Sequence, residues 1–145
     1  MERILVALDH TPRSKEVLAA AIDLARRTNA KLRLLRCVGL PPELPANVRA
    51  LPPAQVTEQL MQIAKKELEQ DSAGIPPELY EASTVHVGVP WDTICTVAKE
   101  DNVDLIVIGS HGHGAMFDAL VGSVARGVLL QAACPVVVVA SPRTG

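Results

Sequence analysis

Aromatic residues are nearly missing from this chain of 145 residues, where Trp91, Tyr80 and Phe117 make up 2% of the sequence. Proteins that bind single-stranded nucleic acid stack bases on aromatic side chains, and nucleic-acid-binding domains in general show a basic excess on one face. Here the formal net charge is −2. The composition therefore argues against a nucleic-acid-binding protein.

Long apolar runs and secretion signals are also lacking. The longest apolar run, near residues 135–140, has the length of a strand and not the roughly 20 residues of a membrane span. The N-terminus enters a predicted strand at once, without the apolar region and cleavage site of a signal peptide. Three cysteines, Cys37, Cys95 and Cys134, are an odd number in apolar surroundings, so we expect reduced, buried thiols. These features predict a cytoplasmic protein.

What the sequence does contain is a glycine-punctuated segment in its second half. Residues 104–112, DLIVIGSHG, read as a buried strand that ends in a glycine loop, and Gly122-Ser123 then begins a helix. Such a junction places unpaired backbone N–H groups and the positive end of a helix dipole at one point, which suits phosphate. We expect Gly109 to turn sharply off the strand and Gly112 to let a ligand approach the backbone. Gly122 would open the helix start, and Ser123 would add a hydroxyl.

This loop differs from three common motifs. No Lys follows a glycine as in the Walker A loop, and the first strand ends in Ala7-Leu8-Asp9-His10 without the glycines of a dinucleotide fingerprint. Ser110 directly follows Gly109, which is not the G-x-S-x-G spacing of a nucleophile elbow. A glycine-rich turn that binds nothing therefore stays open as an alternative.

Apolar runs and helical patterns alternate along the whole chain. The patterns predict strands over residues 3–8, 31–38, 80–87, 104–108 and 135–140, the third nearer a sheet edge, and helices over 12–28, 54–71, 90–102 and 123–133. This order predicts one α/β domain, with an open parallel sheet and helices on both faces. Ligands of such sheets bind at the carboxyl ends of strands, where the strand order reverses.

Local signals add detail to this outline. Thr11 is expected to cap the first helix, with Pro12 in its first turn, and Ser14, Lys15 and Glu16 to form a solvated start. The proline-rich connection from Gly39 to Pro53 is too punctuated for a regular element and is expected to act as a flap.

The motifs together resemble the universal stress protein family over nearly the whole chain. The strand Ile4-Leu-Val-Ala-Leu-Asp9 and the block from Gly88-Val-Pro90 to Gly112 are similar to that family's first strand and central block. The spacing Gly109-x2-Gly112-x9-Gly122-Ser123 matches the pattern of the ATP-binding branch. The final run from Ala133 to Val139 is similar to the family's last strand.

The resemblance implies a Rossmann-like adenine-nucleotide-binding fold with five strands in the order 3-2-1-4-5, and a homodimer formed by antiparallel pairing of the fifth strands, from Pro135 to Val139. It implies ATP as the bound ligand, with Mg²⁺ as a candidate ion. The residues implied around the adenosine portion are Ala7, Leu8, Asp9, Cys37 and Ile108. Those implied around the phosphates are Gly109, Gly112, Gly122, Ser123 and Val124. The family commonly has valine where Cys37 stands and histidine where Arg36 stands.

Several of these residues have alternative interpretations. Asp9 can organise the turn into the first helix instead of, or together with, contacting ribose. His111 and His113 supply only two metal ligands, so we favour loop histidines that hydrogen-bond phosphate. Arg126 can reach a phosphate or lie exposed on its helix. Trp91 is interpreted as a packing anchor.

The chemistry of the loop favours binding over catalysis. Between Ser110 and Val121 it offers Asp118 as its only carboxylate and no Lys or Arg, whereas fast phosphoryl transfer needs a positioned water and strong phosphate cations. A nucleotide-dependent stress-response or signalling module without fast catalysis is the first hypothesis. The alternatives are a slow Mg²⁺-dependent ATP hydrolase or phosphotransferase, and a binder of another adenine nucleotide such as cyclic AMP.

Overall fold

The computed structural model describes residues 1–39, 53–110 and 122–140. Strands and helices alternate as predicted, with one additional 3₁₀ turn, Pro77–Leu79, before the third strand. The strands are β1 (Arg3–Leu8), β2 (Lys31–Val38), β3 (Tyr80–Val87), β4 (Leu105–Gly109) and β5 (Val136–Val139). The helices are α1 (Ser14–Thr28), α2 (Pro53–Ala73), α3 (Pro90–Glu100) and α4 (Ser123–Gln131). No helix in these described ranges is long and apolar enough to cross a membrane.

The five strands form one sheet in the order β3-β2-β1-β4-β5, and every neighbouring pair is parallel. The order reverses between β1 and β4, because the chain builds β2 and β3 on one side of β1 before it returns to add β4 on the other. The predicted strand order and the edge position of β3 are both confirmed.

Each face of the sheet has its own apolar core. Ile4, Val6 and Leu8 of β1 pack under α1 and α2 on one face, while Leu5 packs under α3 and α4 on the other. Side chains of a strand alternate between faces, so a strand covered on both sides favours apolar residues at every position. This explains why the central strands β1 and β4 read as nearly continuous aliphatic runs, whereas β2 also carries Arg33 and Arg36.

The first helix begins later than predicted. Thr11 does not cap α1: its N–H and hydroxyl donate to Asp9 Oδ1 at 2.9 and 2.6 Å. The chain from Thr11 to Ser14 forms a turn closed by Ser14 N–H on Thr11 O at 3.1 Å. The N-cap residue is Arg13, which makes no side-chain cap bond. The Thr11 hydroxyl donates to the Asp9 carboxylate instead of accepting from the helix start, and a hydrogen bond to a charged acceptor is the stronger kind.

Two other predicted boundaries moved for identifiable reasons. Gly109 does not turn off the strand; it is the last residue of β4, pairs with Val139, and is followed by Ser110, whose N–H donates to Val139 O at 2.9 Å. The third helix ends at Glu100 instead of 102. Asn102 adopts a left-handed conformation with φ 52°, which asparagine tolerates better than most residues.

Trp91 packs at the contact between α3 and α4, as the anchor interpretation expected. A Cβ added at Gly127 would lie 2.6 Å from Cβ and Cγ of Trp91. The absence of a side chain at Gly127 therefore creates the space that the base of the indole side chain occupies. About 37% of the Trp91 surface stays exposed.

Ion pairs and carboxylate hydrogen bonds join the amino ends of the strands. Arg33 on β2 pairs with Glu81 on β3, and its Nε donates to Asp101 Oδ2 at 3.2 Å. Asp104 Oδ2 accepts the N–H groups of Glu2 and Arg3 at 2.7 and 3.0 Å. These bonds connect β1 to the segment that precedes β4, about a hundred residues later in the sequence.

A second charge cluster surrounds a buried arginine on the α1–α2 face. Arg36 of β2 is only 7% exposed and pairs with Glu67 of α2 at 3.1 Å. Asp71, one helical turn further, lies within the field of Arg36, Glu67 and Lys15. Burial raises the pKa of Asp71, the Glu67 carboxylate raises it further, and Arg36 and Lys15 oppose the shift. Arg36, which stands where the family commonly has histidine, is thus accommodated by acidic residues on the helix that covers it.

The pKa values of Asp104 and Asp71 are shifted in opposite directions, so removing the two charges should have opposite effects on stability. The N–H groups of Glu2 and Arg3 hold the pKa of Asp104 below its ordinary value of 3.8, so folding favours the carboxylate. Asp104→Asn should lower the Tm at about pH 7, and its deficit should vanish as the pH falls through the folded-state pKa, below about pH 4. Thermal unfolding followed by circular dichroism measures the Tm of both proteins at each pH.

Asp71→Asn is the matched comparison at a group shifted the other way. Its folded-state pKa exceeds its unfolded value, so the ionised carboxylate weakens the fold at neutral pH. Asp71→Asn should therefore raise the Tm slightly at about pH 7, with no gain below the unfolded pKa near pH 4. A loss of stability at Asp71→Asn, or none at Asp104→Asn, would contradict these pKa directions.

Candidate functional site

The carboxyl edge of the sheet brings together residues that are far apart in the sequence. Asp9 follows the end of β1, and Gly109 ends the neighbouring strand β4. These two strands flank the point at which the strand order reverses, where ligands of open parallel sheets bind. Gly122, at the start of α4, reaches the same edge through a hydrogen bond to Ser110.

A compact hydrogen-bond cluster holds Asp9. Its Oδ1 accepts three donors, the third being the Ser14 hydroxyl at 3.0 Å. Ser14 Oγ in turn accepts the Asp9 N–H at 3.0 Å and lies 2.7 Å from Asp9 O. The turn-organising interpretation of Asp9 is therefore correct. Oδ2 forms no hydrogen bond with any described residue, which leaves it available to a ligand.

Ser14 was misassigned by sequence reasoning. It was expected in a solvated first turn, yet it is only 8% exposed, and its hydroxyl bonds both the backbone and the side chain of Asp9. Lys15 and Glu16 are exposed, as expected. The available signal was a small hydroxyl residue five positions after an aspartate that ends a buried strand, a spacing that lets a helix start return to the strand end.

The ends of the glycine loop are joined directly. Gly122 N–H donates to Ser110 O at 2.6 Å, and Ser110 itself is buried. The exit of β4 and the entrance of α4 are therefore adjacent. Gly122 is the N-cap residue with φ −68° and ψ 166°, an extended conformation open to any residue. The backbone conformation therefore does not require glycine at this position. The absence of a side chain instead leaves the N–H groups at the start of the helix uncovered.

The start of α4 presents unpaired donors. The first intrahelical bond runs from Arg126 N–H to Gly122 O at 2.9 Å. The N–H groups of Ser123, Val124 and Ala125 therefore precede the helical ladder, and within the described ranges none of them has an acceptor. No described side chain caps the helix, and its first turn contains no acidic residue. The arrangement is a set of converging donors at the positive end of a helix dipole.

Cys37 links the exits of β2 and β3. Its Sγ donates to Gly88 O at 3.4 Å, and Gly88 N–H donates to Val38 O at 3.1 Å. A Cβ added at Gly88 would lie 2.8 Å from Thr93 Oγ1, so glycine allows the close approach of α3. All three cysteines are free but only half-buried, which corrects the prediction of full burial. Burial nevertheless raises the pKa of each thiol.

The predicted adenosine-contacting residues do not share one face. Ala7 and Ile108 belong to the α3–α4 face. Leu8 is buried in the core on the opposite face, under α1 and α2. The Leu8 side chain therefore points away from that group, and only its backbone is near the carboxyl edge.

Some predicted residues lie outside the described ranges. These are His111, Gly112, His113, Asp118 and almost all of the predicted flap. The residues that the structure describes include no group of three or more His, Cys, Asp or Glu side chains suited to a metal ion. Arg126 is exposed on α4 and forms no ion pair with a described residue.

Comparison with known proteins assigns the chain to a family. The model of the universal stress protein family matches residues 1–140. Universal stress protein A homolog 1 of Coxiella burnetii is 32% identical over 141 residues, which are 95% of this chain and 95% of that protein.

Solved structures show the same fold. The protein MJ0577 of Methanocaldococcus jannaschii superposes with a TM-score of 0.84 at 21% identity, covering 99% of this chain and 98% of that one. A universal stress protein in complex with cAMP has a TM-score of 0.62 at 22% identity, with 97% and 98% covered. The Archaeoglobus fulgidus protein in complex with dAMP has a TM-score of 0.59 at 23% identity, with 95% and 97% covered.

The family match, the relative and the common fold agree over nearly the whole length. The chain belongs to the universal stress protein family.

Proposed function

We propose that this protein binds an adenine nucleotide, ATP, at the carboxyl edge between β1 and β4, and acts as a nucleotide-dependent stress-response or signalling module without fast catalysis. The observation on which this depends is the start of α4, where the N–H groups of Ser123, Val124 and Ala125 have no acceptor among the described residues. Phosphate oxygens would satisfy them and would be stabilised by the helix dipole.

The phosphates are assigned to the loop side of the site. Gly109, Gly122, Ser123 and Val124, with His111 and Gly112, are proposed to surround them. Ser110 O binds Gly122 N–H, so the donors that follow Gly122 remain for the ligand. The uncovered helix start at Gly122 lets an anion approach the backbone closely, which a β-branched side chain would prevent.

The adenosine portion is assigned to the β1–β2 side. A carboxylate repels phosphate, so Asp9 is proposed to accept a ribose hydroxyl through Oδ2 while Oδ1 stays bound to Thr11 and Ser14. Ala7, Cys37 and Ile108 would supply apolar contact to the base, with the backbone of Leu8 beside them. Two proteins of the same fold bind adenine nucleotides, cAMP in one complex and dAMP in the other, which supports this class of ligand. Mg²⁺ is proposed to accompany a triphosphate.

The proposal is tested by the nucleotide content of the wild-type protein and by the ATP affinity of Gly122→Val. Nucleotide released from heat-denatured wild-type protein should be ATP by chromatography, whereas AMP or cyclic AMP would replace ATP as the ligand. Gly122→Val should reduce affinity for ATP at least tenfold in calorimetry, because its side chain blocks the open donors.

Gly74→Val provides the control. Gly74 lies after α2, and an added Cβ there meets only Asp71 O at 3.6 Å. This variant should bind ATP like the wild type. Wild-type protein that binds no adenine nucleotide would refute the function, and unchanged affinity in Gly122→Val would refute the assignment of the phosphates.

A homodimer through the outer edge of β5 is proposed as the working form. All four residues of Val136–Val139 are only partly buried, and in the described structure β4 is their one strand neighbour. A bare valine strand at a sheet edge promotes aggregation, which pairing with a second copy would prevent.

The backbone determines which substitution tests this edge. Along a strand, the N–H and C=O of one residue point to the same side and alternate between neighbours. Pro135 O and Val139 O accept from β4, so Val137 also faces β4, whereas Val136 and Val138 face outward.

Val138→Pro should therefore dissociate the dimer while the monomer stays folded, because it removes an outward donor. Val137→Pro should instead destabilise the subunit itself by breaking the β4 ladder. Light scattering measures the mass, and circular dichroism measures the fold. A Val138→Pro protein that remains dimeric would exclude this edge as the interface.

A further inference from the structure

A groove of about 590 Å³ lies at the amino edge of the sheet, opposite the proposed nucleotide site. One wall is the outer face of α1, with Ala19, Ile22 and Arg26, and the other is the chain that leaves α2, residues 73–77. We call it the α1–α2 groove. None of the residues assigned to nucleotide binding lines it.

The first wall is one stripe of α1. Ala19, Ile22 and Arg26 are spaced by three and four residues, so they share a face of the helix. Ile22 packs partly on the core beneath it, while Ala19 is exposed. The groove is open on its outer side, and small residues on both walls, Ala19, Ala73 and Gly74, leave its volume unfilled.

The second wall offers no backbone hydrogen-bond donor. Pro76 and Pro77 have no N–H group. Gly74 N–H donates to Asp71 O at 3.2 Å, and Ile75 N–H donates to Ser72 O at 3.0 Å. An occupant therefore finds no backbone donor on this wall for its own carbonyls.

Arg26 is the one charged residue in the lining. It is exposed and forms no ion pair or hydrogen bond with any described residue, whereas its neighbour Arg27 is held by Asp23 at 2.9 Å. The groove thus combines aliphatic side chains on both walls with one guanidinium that no described residue engages. A carboxylate beside an aliphatic side chain complements both features.

These features indicate the type of partner. An extended peptide would leave its backbone carbonyls unpaired against a wall without donors, whereas a helix satisfies its own backbone. A small ligand in an open groove would keep much of its apolar surface in water, so a segment of a larger molecule fits better.

We propose that the α1–α2 groove is a docking site for an amphipathic helix of a partner protein, which places an aliphatic side chain between Ala19 and the two prolines and a carboxylate on Arg26. This is recognition of a helix in a groove, with apolar anchors one turn apart. It does not depend on nucleotide binding at the other edge.

A designed peptide tests the proposal. The probe is an alanine-rich helix of about 15 residues, with two leucines four positions apart and a glutamate on the same face, titrated into the full-length, ¹⁵N-labelled protein. Amide signals of Ala19, Gly74 and Ile75 should shift on binding. The same peptide with glutamine for its glutamate should bind about tenfold more weakly, as expected for loss of a charge-assisted hydrogen bond.

Matched protein variants locate the contact. Arg26→Glu should weaken binding of the glutamate peptide about tenfold or more, while Arg27→Glu, one residue away and outside the lining, should change it less than twofold. Ala19→Arg should block the groove without disturbing the core, because Ala19 is exposed. Circular dichroism verifies that each variant is folded.

Three results would overturn the proposal. One is the absence of shifts at Ala19, Gly74 and Ile75 at millimolar peptide. Another is equal weakening by Arg26→Glu and Arg27→Glu, which would indicate only general charge attraction. The third is binding of free octanoate as tight as that of the peptide, which would make the groove a site for small carboxylates.

Discussion

Parallel pairing of β1 with β4 is the interaction on which the remaining architecture depends. Ile4, Leu5 and Val6 of β1 lie opposite residues 105–107 of β4, a hundred positions later. This contact joins two strands that are far apart in the sequence. The conformational entropy lost in bringing them together is recovered only when helices cover both faces of the sheet. Because the strands are parallel, closure also places Asp9 and Gly109 on one edge. The position of the candidate site thus follows directly from the pairing that forms the core.

The helix start beside this pairing has no cap among the described residues. In α4 the donors that precede the first helical bond have no acceptor in the described structure, and the first turn of the helix has no acidic residue. Water can solvate such groups, at the expense of helix stability that a capping side chain would normally provide. Gly122 occupies the position where Ser or Asp would supply that cap. A bound anion would therefore stabilise the fold as well as the complex, by linkage between binding and folding.

Sequence reasoning predicted the periodic features well and the local ones poorly. The aliphatic runs fix which segments are buried strands, and β2 and β3 were predicted to the residue. Ser14 was misassigned although its partner is local, a carboxylate five residues earlier. Gly109 was misassigned because its environment is a tertiary contact, the pairing with Val139 on β5. The α1–α2 groove had no sequence signal at all. It results from small residues on two segments that meet only in the folded chain.

The two edges of the sheet differ in chemistry, and α1 spans the distance between them. Its first residue, Ser14, bonds Asp9 at the carboxyl edge, and Arg26 in its last turn lines the groove at the amino edge. Twelve positions of helix separate the two by about 18 Å. Sites that far apart with no shared partner are expected to act independently unless an element between them has two arrangements. Val17, Ala21 and Ala25 fix α1 on the core, and close-packed interiors resist continuous deformation. Nucleotide at one edge and a partner helix at the other should therefore bind additively, and coupling between them would require α1 to shift as a rigid body.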